Sequence, residues 1–375
     1  KLDERLADEE EAPTITVPIL NGSDAVKVEL NGRMVQSLGM RHATVEVETE
    51  GAAYSIPAEL IDIVIVAEQL GASQLEDILV YVEMIQVPAQ ESPGQDAATI
   101  AHVAPVIEFR ITAVYGDRTV EIDGFTAYVE RSITIPQGVD RGRITTGVWI
   151  GPNGEWFHVP TRIVERNGSY EAIINSLTNS AYTVIDNERT FADLAEHWAK
   201  ASVEDMASRL IVKGAPNGLF EPDRAVTRAE FAAMTVRALG LDGLETNEPL
   251  AREVRPDDWF AGAVATAKRY GLVKGGSDGL FRPKDTITRQ EAMVIMARAA
   301  KLAGLAGPED PHSVLAPFAD AADVAAWARE GAALVTDSGI IRGAYGLLAP
   351  HRELTKAEAA VMLQRLLQTA NLINS

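Results

Sequence analysis

The stretch VTRAEF at 226–231 returns as ITRQEA at 287–292 and again as LTKAEA at 354–359. Each copy sets a threonine three residues ahead of a glutamate, at the head of an apolar run with helical spacing. The runs are Phe231, Met234 and Ala238, then Ala292, Ile295, Met296 and Ala299, then Ala359, Met362, Leu363 and Leu366. T-x-x-E in that position is a capping box, in which the hydroxyl accepts from the third helical amide and the glutamate reaches back to the cap. Thr227 with Glu230, Thr288 with Glu291, and Thr355 with Glu358 all fit, and each cap contributes about 1 kcal/mol without any ligand.

Capping leaves the residue between them unexplained. Arg228, Arg289 and Lys356 stand at the first helical position, where the helix dipole opposes a cation by about 0.3–1 kcal/mol. A solvated surface charge accounts for any one of them. Three in register suggest a purpose, because a helix start under a guanidinium suits a carboxylate or a phosphate.

Working outward, the phrase belongs to a longer repeat. Trp198, Trp259 and Trp327 each precede a glycine by sixteen residues: Gly214, Gly275 and Gly343. The intervening text reads as a helix, apolar at Val203 and Met206, at Val264 and Ala267, and at Ala332 and Val335. Each glycine opens a turn, GAPNGLFEP, GGSDGLFRP or the shorter GAYGLLAP, whose proline falls five residues before the threonine. The copies are offset by 61 residues and then by 67 or 68. Lys213, Lys274 and Arg342, just before the glycines, form a second recurring cation whose simplest reading is a charge near a helix C-terminus. The tryptophans read as core anchors first and as sugar-facing surfaces second.

Ahead of residue 187 the grammar is that of strands. TITVPI, AVKVEL, ATVEVETE, VIEFRITAVYG, RTVEI, RSITIP, GVWIG and AYTVI are β-branched and divided by Gly, Asn, Asp and Pro. GPNGEW at 151–156 and RNGSY at 166–170 are hairpin signals. One helix is expected near Pro57–Gln69, and a β-sandwich is the expected architecture. The domains therefore run 1–13 (an acidic linker), 14–188 (a β-rich module open to division near 88–105), 189–243, 244–306 and 307–375. The fold class is multidomain α+β, mainly β and then all α.

Totals narrow the function. A formal charge of −20 argues against a general nucleic-acid binder, which needs a basic face. No cysteine is present, so disulfides, thiolate metal sites and a cysteine nucleophile are excluded. No apolar run approaches membrane length. No GxSxG, P-loop, HExxH or GxGxxG motif occurs, and the six histidines lack ligand spacing. The Asp278 to Glu291 interval is too long for an EF-hand loop. The expectation is no enzyme, no cofactor and no metal. A pair of glycosidase carboxylates in the β half stays open as a rival.

Three units of about 60 residues with a Trp-led helix, a G-x-x-D/N-G-x-F-x-P-like turn and a T-R-A-E-like helix start resemble S-layer homology domains. FADLAEHW at 191–198 and FAD at 318–320 are similar to that family's repeat openings. The strand-rich module ending SLTNSAYTVI also resembles segments found upstream of such triplets in surface proteins of Gram-positive spore formers. The resemblance implies a pseudo-threefold bundle that anchors a secreted protein non-covalently to the wall. Its partner would be an acidic secondary cell-wall polysaccharide, bound at a pyruvylated N-acetylmannosamine, with other surface-layer subunits as further candidates. Location would be extracellular, with neither nucleic acid nor membrane as partner. Carried over by position, Arg228, Arg289 and Lys356 would meet the pyruvate carboxylate, with Gly214, Gly275 and Gly343 giving backbone access and Trp198, Trp259 and Trp327 nearby. Repeat two departs in lacking the early Phe and Asp. Repeat three departs in its short turn, in Leu348, and in Lys356, which forgoes bidentate contact. The β half is alternatively a carbohydrate-binding, adhesive or layer-assembly module.

Overall fold

The computed structural model describes residues 12–20, 22–89, 100–166, 168–243, 251–276 and 278–375. Most of the expected acidic linker and the centre of the proposed 88–105 division lie outside the described residues. Two compact units emerge, one of residues up to 156 with 161–186, the other of residues 157–160 with 187–375.

The first unit is built on β1 (Thr14–Pro18), β2 (Ala25–Asn31), β3 (Thr44–Glu48), β4 (Ala52–Pro57), β5 (Leu79–Val87), β6 (Ala101–His102), β7 (Val106–Tyr115) and β8 (Arg118–Glu121). β9 (Gly124–Thr134), β10 (Thr146–Ile150), β12 (Thr161–Arg166), β13 (Ser169–Thr178) and β14 (Ala181–Asp186) follow, whereas β11 (Trp156–Val159) falls in the second unit from Phe157 on. One sheet has the order β1-β3-β4-β9-β13-β12; the other runs β10-β14-β7-β5-β2, with β6 on β14 and β8 on β7. Only β1 on β3 pairs in parallel among these described ladders. The alternation legible in the sequence sends Tyr54, Val129, Ile133 and Ile174 of the first sheet inward, and Val82, Phe109, Ile111 and Tyr182 of the second. Tyr54 meets Phe109 edge-on, with ring centroids 5.2 Å apart.

Helix placement in this unit is finer than expected. The single helix read at 57–69 is a 3-10 turn, Ala58–Leu60, and a separate helix α2 (Ile63–Leu70) capped by Asp62, whose Oδ1 accepts from Ile65 N. A further helix, α1 (Gly32–Met40), had no sequence expectation. Asn31 caps it at 2.8 Å from Met34 N, and Gly32 is required because a Cβ there would lie 2.6 Å from the Leu75 carbonyl oxygen. An Asn-Gly pair that reads as turn punctuation is thus a helix start.

The second unit is helical: α3 (Lys200–Ser208), α4 (Arg228–Ala238), α5 (Ala261–Arg269), α6 (Arg289–Leu302), the short α7 (Pro311–Leu315), α8 (Arg329–Asp337) and α9 (Lys356–Thr369). Each repeat supplies a Trp-led helix, α3, α5 or α8, and a threonine-capped one, α4, α6 or α9. The apolar positions read from the sequence are interior, with Val203, Met206, Val264, Ala267, Ala332 and Val335 all buried. Thr227, Thr288 and Thr355 are the N-caps of the second helices. Their amides donate to Glu230, Glu291 and Glu358 at 2.8, 2.9 and 3.1 Å. The Thr227 and Thr355 hydroxyls accept from the third helical amide, while that of Thr288 also donates to Glu291 at 2.8 Å.

One residue before each cap, the chains of the three repeats close into a ring. Val226 N–H donates to Leu354, Leu354 N–H to Ile287, and Ile287 N–H to Val226, each at 3.0 Å, and all three side chains are fully buried.

Candidate functional site

The recurring cations at Arg228, Arg289 and Lys356 are bound across repeats. Arg228 Nε donates to the Phe281 carbonyl at 2.8 Å and its Nη1 to Glu291 at 2.6 Å. Arg289 Nε donates to the Leu348 carbonyl at 2.9 Å and Nη1 to Glu358 at 3.2 Å. Lys356 Nζ donates to the Phe220 carbonyl at 2.9 Å and lies 4.4 Å from that ring's centre. Each cation therefore holds the turn of the following repeat in cyclic order. Burial is the main influence pushing Arg289 and Lys356 below their ordinary pKa, with Glu358 opposing it for Arg289.

The helix starts themselves are occupied. The amides of Arg228 and Ala229 donate to Asp285 and Pro283, those of Arg289 and Gln290 to Arg352 and Pro350, and those of Lys356 and Ala357 to Arg224 and Pro222, at 2.9–3.0 Å. The expectation of an anion seated on free helix amides is corrected by these bonds. What Arg228 and Arg289 present to the open grooves described next is side-chain charge.

Two open grooves gather the expected residues. One, of about 490 Å³, brings Arg228, Gly275, Glu291 and Trp327 together with Lys274 and Arg298. The other, of about 480 Å³, brings Arg289, Gly343, Glu358 and Trp198 together with Arg342, Arg352 and Arg365. Each thus takes its cap cation, its turn and its tryptophan from three different repeats. Lys356, Gly214 and Trp259 line neither groove.

The tryptophans are not core anchors: Trp198, Trp259 and Trp327 are 66%, 65% and 60% exposed. An indole face in the open, beside cations, is suited to stacking on a sugar ring. The glycines serve the interior as well. A Cβ on Gly214 would lie 2.7 Å from the Phe191 ring, one on Gly343 2.4 Å from the Phe318 ring, and one on Gly275 2.9 Å from the Gly279 backbone.

Sequence reading overlooked a third recurring cation, Arg237, Arg298 and Arg365, nine residues after each cap cation. Its register was legible. Arg298 donates to the Leu272 carbonyl at 3.1 Å, and Arg237 pairs with Asp242 at 3.3 Å.

The apparent gap in repeat two is also filled. Asp193 accepts from the amides of Phe220 and Glu221, and Asp320 from those of Leu348 and Ala349, fixing each turn where its backbone turns left-handed. Glu253 does the same for Phe281 and Arg282, its extra methylene making up for a different approach. Burial works to raise Asp193 and Glu253, but the turn amides outweigh it and hold both below the usual carboxylate pKa. A carboxylate depressed in the folded state contributes stability above its unfolded pKa and loses it as pH falls through the folded one. The melting temperature of the helical unit should therefore fall as pH drops below about 4, and Glu253→Gln should shrink that drop. An acid limb identical in the variant would count against this role.

Comparison with known proteins finds a family match within the helical unit. Residues 190–232, 254–293 and 317–360 match the S-layer homology domain. An amylopullulanase of Thermoanaerobacterium thermosulfurigenes is 27% identical over 311 residues, covering 82% of this chain and 16% of the relative. Exoglucanase XynX of Acetivibrio thermocellus is 34% identical over 196 residues, 52% of this chain and 18% of its own. A surface-layer 125 kDa protein of Lysinibacillus sphaericus is 28% identical over 178 residues, 46% of this chain and 14% of its own. The chain spans less than a fifth of each of these relatives. Between residues 190 and 360 this chain carries three tandem S-layer homology domains.

Proposed function

We propose that the helical unit holds a secreted protein on the bacterial wall by binding an acidic secondary cell-wall polysaccharide in the grooves between repeats. The recognised group in this reading is a pyruvylated N-acetylmannosamine, its carboxylate met by the groove cations and its ring by the exposed indole. One observation carries the reading: in a chain of net charge −20, two grooves each join an exposed tryptophan to more cations than carboxylates. The ring of Val226, Ile287 and Leu354 supports a pseudo-threefold bundle as the scaffold. Three S-layer homology domains, with similarity to surface-layer proteins, indicate a cell-surface or cell-wall location. Within this reading the helical unit binds and does not catalyse.

For the β unit, one observation favours a module shared with a carbohydrate-active enzyme. The likeness to the amylopullulanase covers 82% of the chain, more than the helical unit alone can supply. A spacer or a carbohydrate-binding role fits that company.

The test is co-sedimentation of the whole chain with Gram-positive walls, before and after the wall polymer is stripped, and after enzymatic removal of pyruvate. Binding to native walls should be lost on stripping and reduced on depyruvylation. Equal binding to bare peptidoglycan would sink the proposal.

A further inference from the structure

The groove of the third repeat holds more charge than its own acid can answer. Glu358 alone serves two arginines there, pairing with Arg352 and, at 3.2 Å, with Arg289. Arg342 and Arg365 line the same groove, and neither has an ion pair or a hydrogen bond among the described residues. This is anomalous for the chain. With 54 acidic residues against 34 Lys and Arg, acids are abundant, and most described arginines have found one.

The second groove is built differently at the same positions. Lys274 replaces Arg342, Arg298 is engaged by the Leu272 carbonyl, and Asp285 stands where repeats one and three carry Arg224 and Arg352. Burial, and then the neighbouring Arg342, pushes Arg365 below its ordinary range. Two guanidinium groups close enough to repel, one of them half-buried, cost stability unless something anionic comes between them. Two planar forks also match an anion with several acceptor oxygens better than a single carboxylate does.

We propose that the third-repeat groove selects an anionic group carrying two negative charges, received between Arg342 and Arg365, and is not equivalent to the second-repeat groove. This inference rests on the reading of the grooves as anion sites and narrows it to a chemical class. The Trp198 indole, in the same groove, supplies the reporter.

The experiment titrates the whole chain with inorganic phosphate near pH 8, where its second proton is lost, and with acetate at matched ionic strength. Fluorescence is read in the wild type, in Trp198→Phe to assign the signal to this groove, and in Trp327→Phe to remove the other reporter. Phosphate should bind at the Trp198 groove at least about tenfold tighter than acetate. Arg342→Gln, an exposed position, should abolish that preference with an anion-free melting temperature no lower than the wild type's, since it relieves the repulsion on Arg365, and Arg342→Lys should restore only part of the preference. Equal affinity for the two anions, a preference reported through Trp327 instead, or a preference surviving in Arg342→Gln would overturn the inference. Wall co-sedimentation of the wild type separates the two ideas: walls bound without phosphate preference removes only this inference, whereas no binding to walls removes the anchoring reading itself.

Discussion

Replacing Arg131 with alanine should destabilise the β unit by about 3–5 kcal/mol, the range for truncating a large buried side chain together with its hydrogen bonds. Arg131 is fully buried on β9 and has no carboxylate partner among the described residues. Its two terminal nitrogens are instead solvated by the protein, while Nε is buried without a hydrogen bond. Nη1 donates to the Val129 carbonyl at 2.9 Å, and Nη2 to the Thr178 carbonyl and Asn179 Oδ1 at 2.8 and 2.7 Å. The rings of Tyr54, Phe109 and Tyr182 surround it at 4.9, 5.7 and 5.1 Å, so strands of both sheets face one cation. Burial pushes the Tyr54 hydroxyl up to about 12 despite the opposing pull of Arg131, which keeps that hydroxyl neutral in the network. Truncation to alanine strips the Thr178 carbonyl and Asn179 of a charged donor and leaves a cavity among the rings. Arg131→Met fills much of the space without the charge and should recover part of the loss, and Arg131→Lys keeps the charge without the fork. Denaturant unfolding followed through the buried Trp149 gives the comparison. An unchanged midpoint in Arg131→Ala would show the cage to be ornamental.

Nothing in RSITIP announces that role, and the reason is physical. The alternation places Arg131 on the inward face, but two of its acceptors lie 47 and 48 residues away, at the corner between β13 and β14. Features whose partners are local were legible. The capping threonines need only the next four residues, and the Trp-led helices need only their own periodicity. The cap cations were legible as a pattern and not as contacts, because Arg228 reaches 53 residues forward to Phe281 and Lys356 reaches 136 back to Phe220. Glu253 was read as a missing Asp because sequence register counts residues, whereas the turn amides respond only to where the carboxylate oxygens arrive. The tryptophans misled in the opposite sense: large apolar residues at a helix start suggest a core, yet these indoles are exposed.

Those cross-repeat contacts change what an arginine variant should do. Arg289→Ala should lower the stability of the helical unit by about 3 kcal/mol, as well as weakening wall binding. Arg289 is nearly buried, and its loss leaves the Leu348 carbonyl without its 2.9 Å donor and removes one of the two arginines that neutralise Glu358. Loss of binding in this variant is therefore ambiguous on its own. The chain contains its own control, since Lys356 holds the equivalent carbonyl, that of Phe220, with a single amine. Arg289→Lys should follow that example, staying within about 1 kcal/mol of the wild type while losing the second arm of the fork. Wall affinity in Arg289→Lys should then fall by roughly tenfold, the equivalent of one charge-assisted bond. Thermal melts and wall co-sedimentation of both variants divide the two roles. A stable Arg289→Ala would mean that the turn of repeat three does not depend on this tie. An Arg289→Lys protein that binds walls as tightly as the wild type would mean that the fork serves the fold and that the carboxylate of the wall polymer is met by other groove cations.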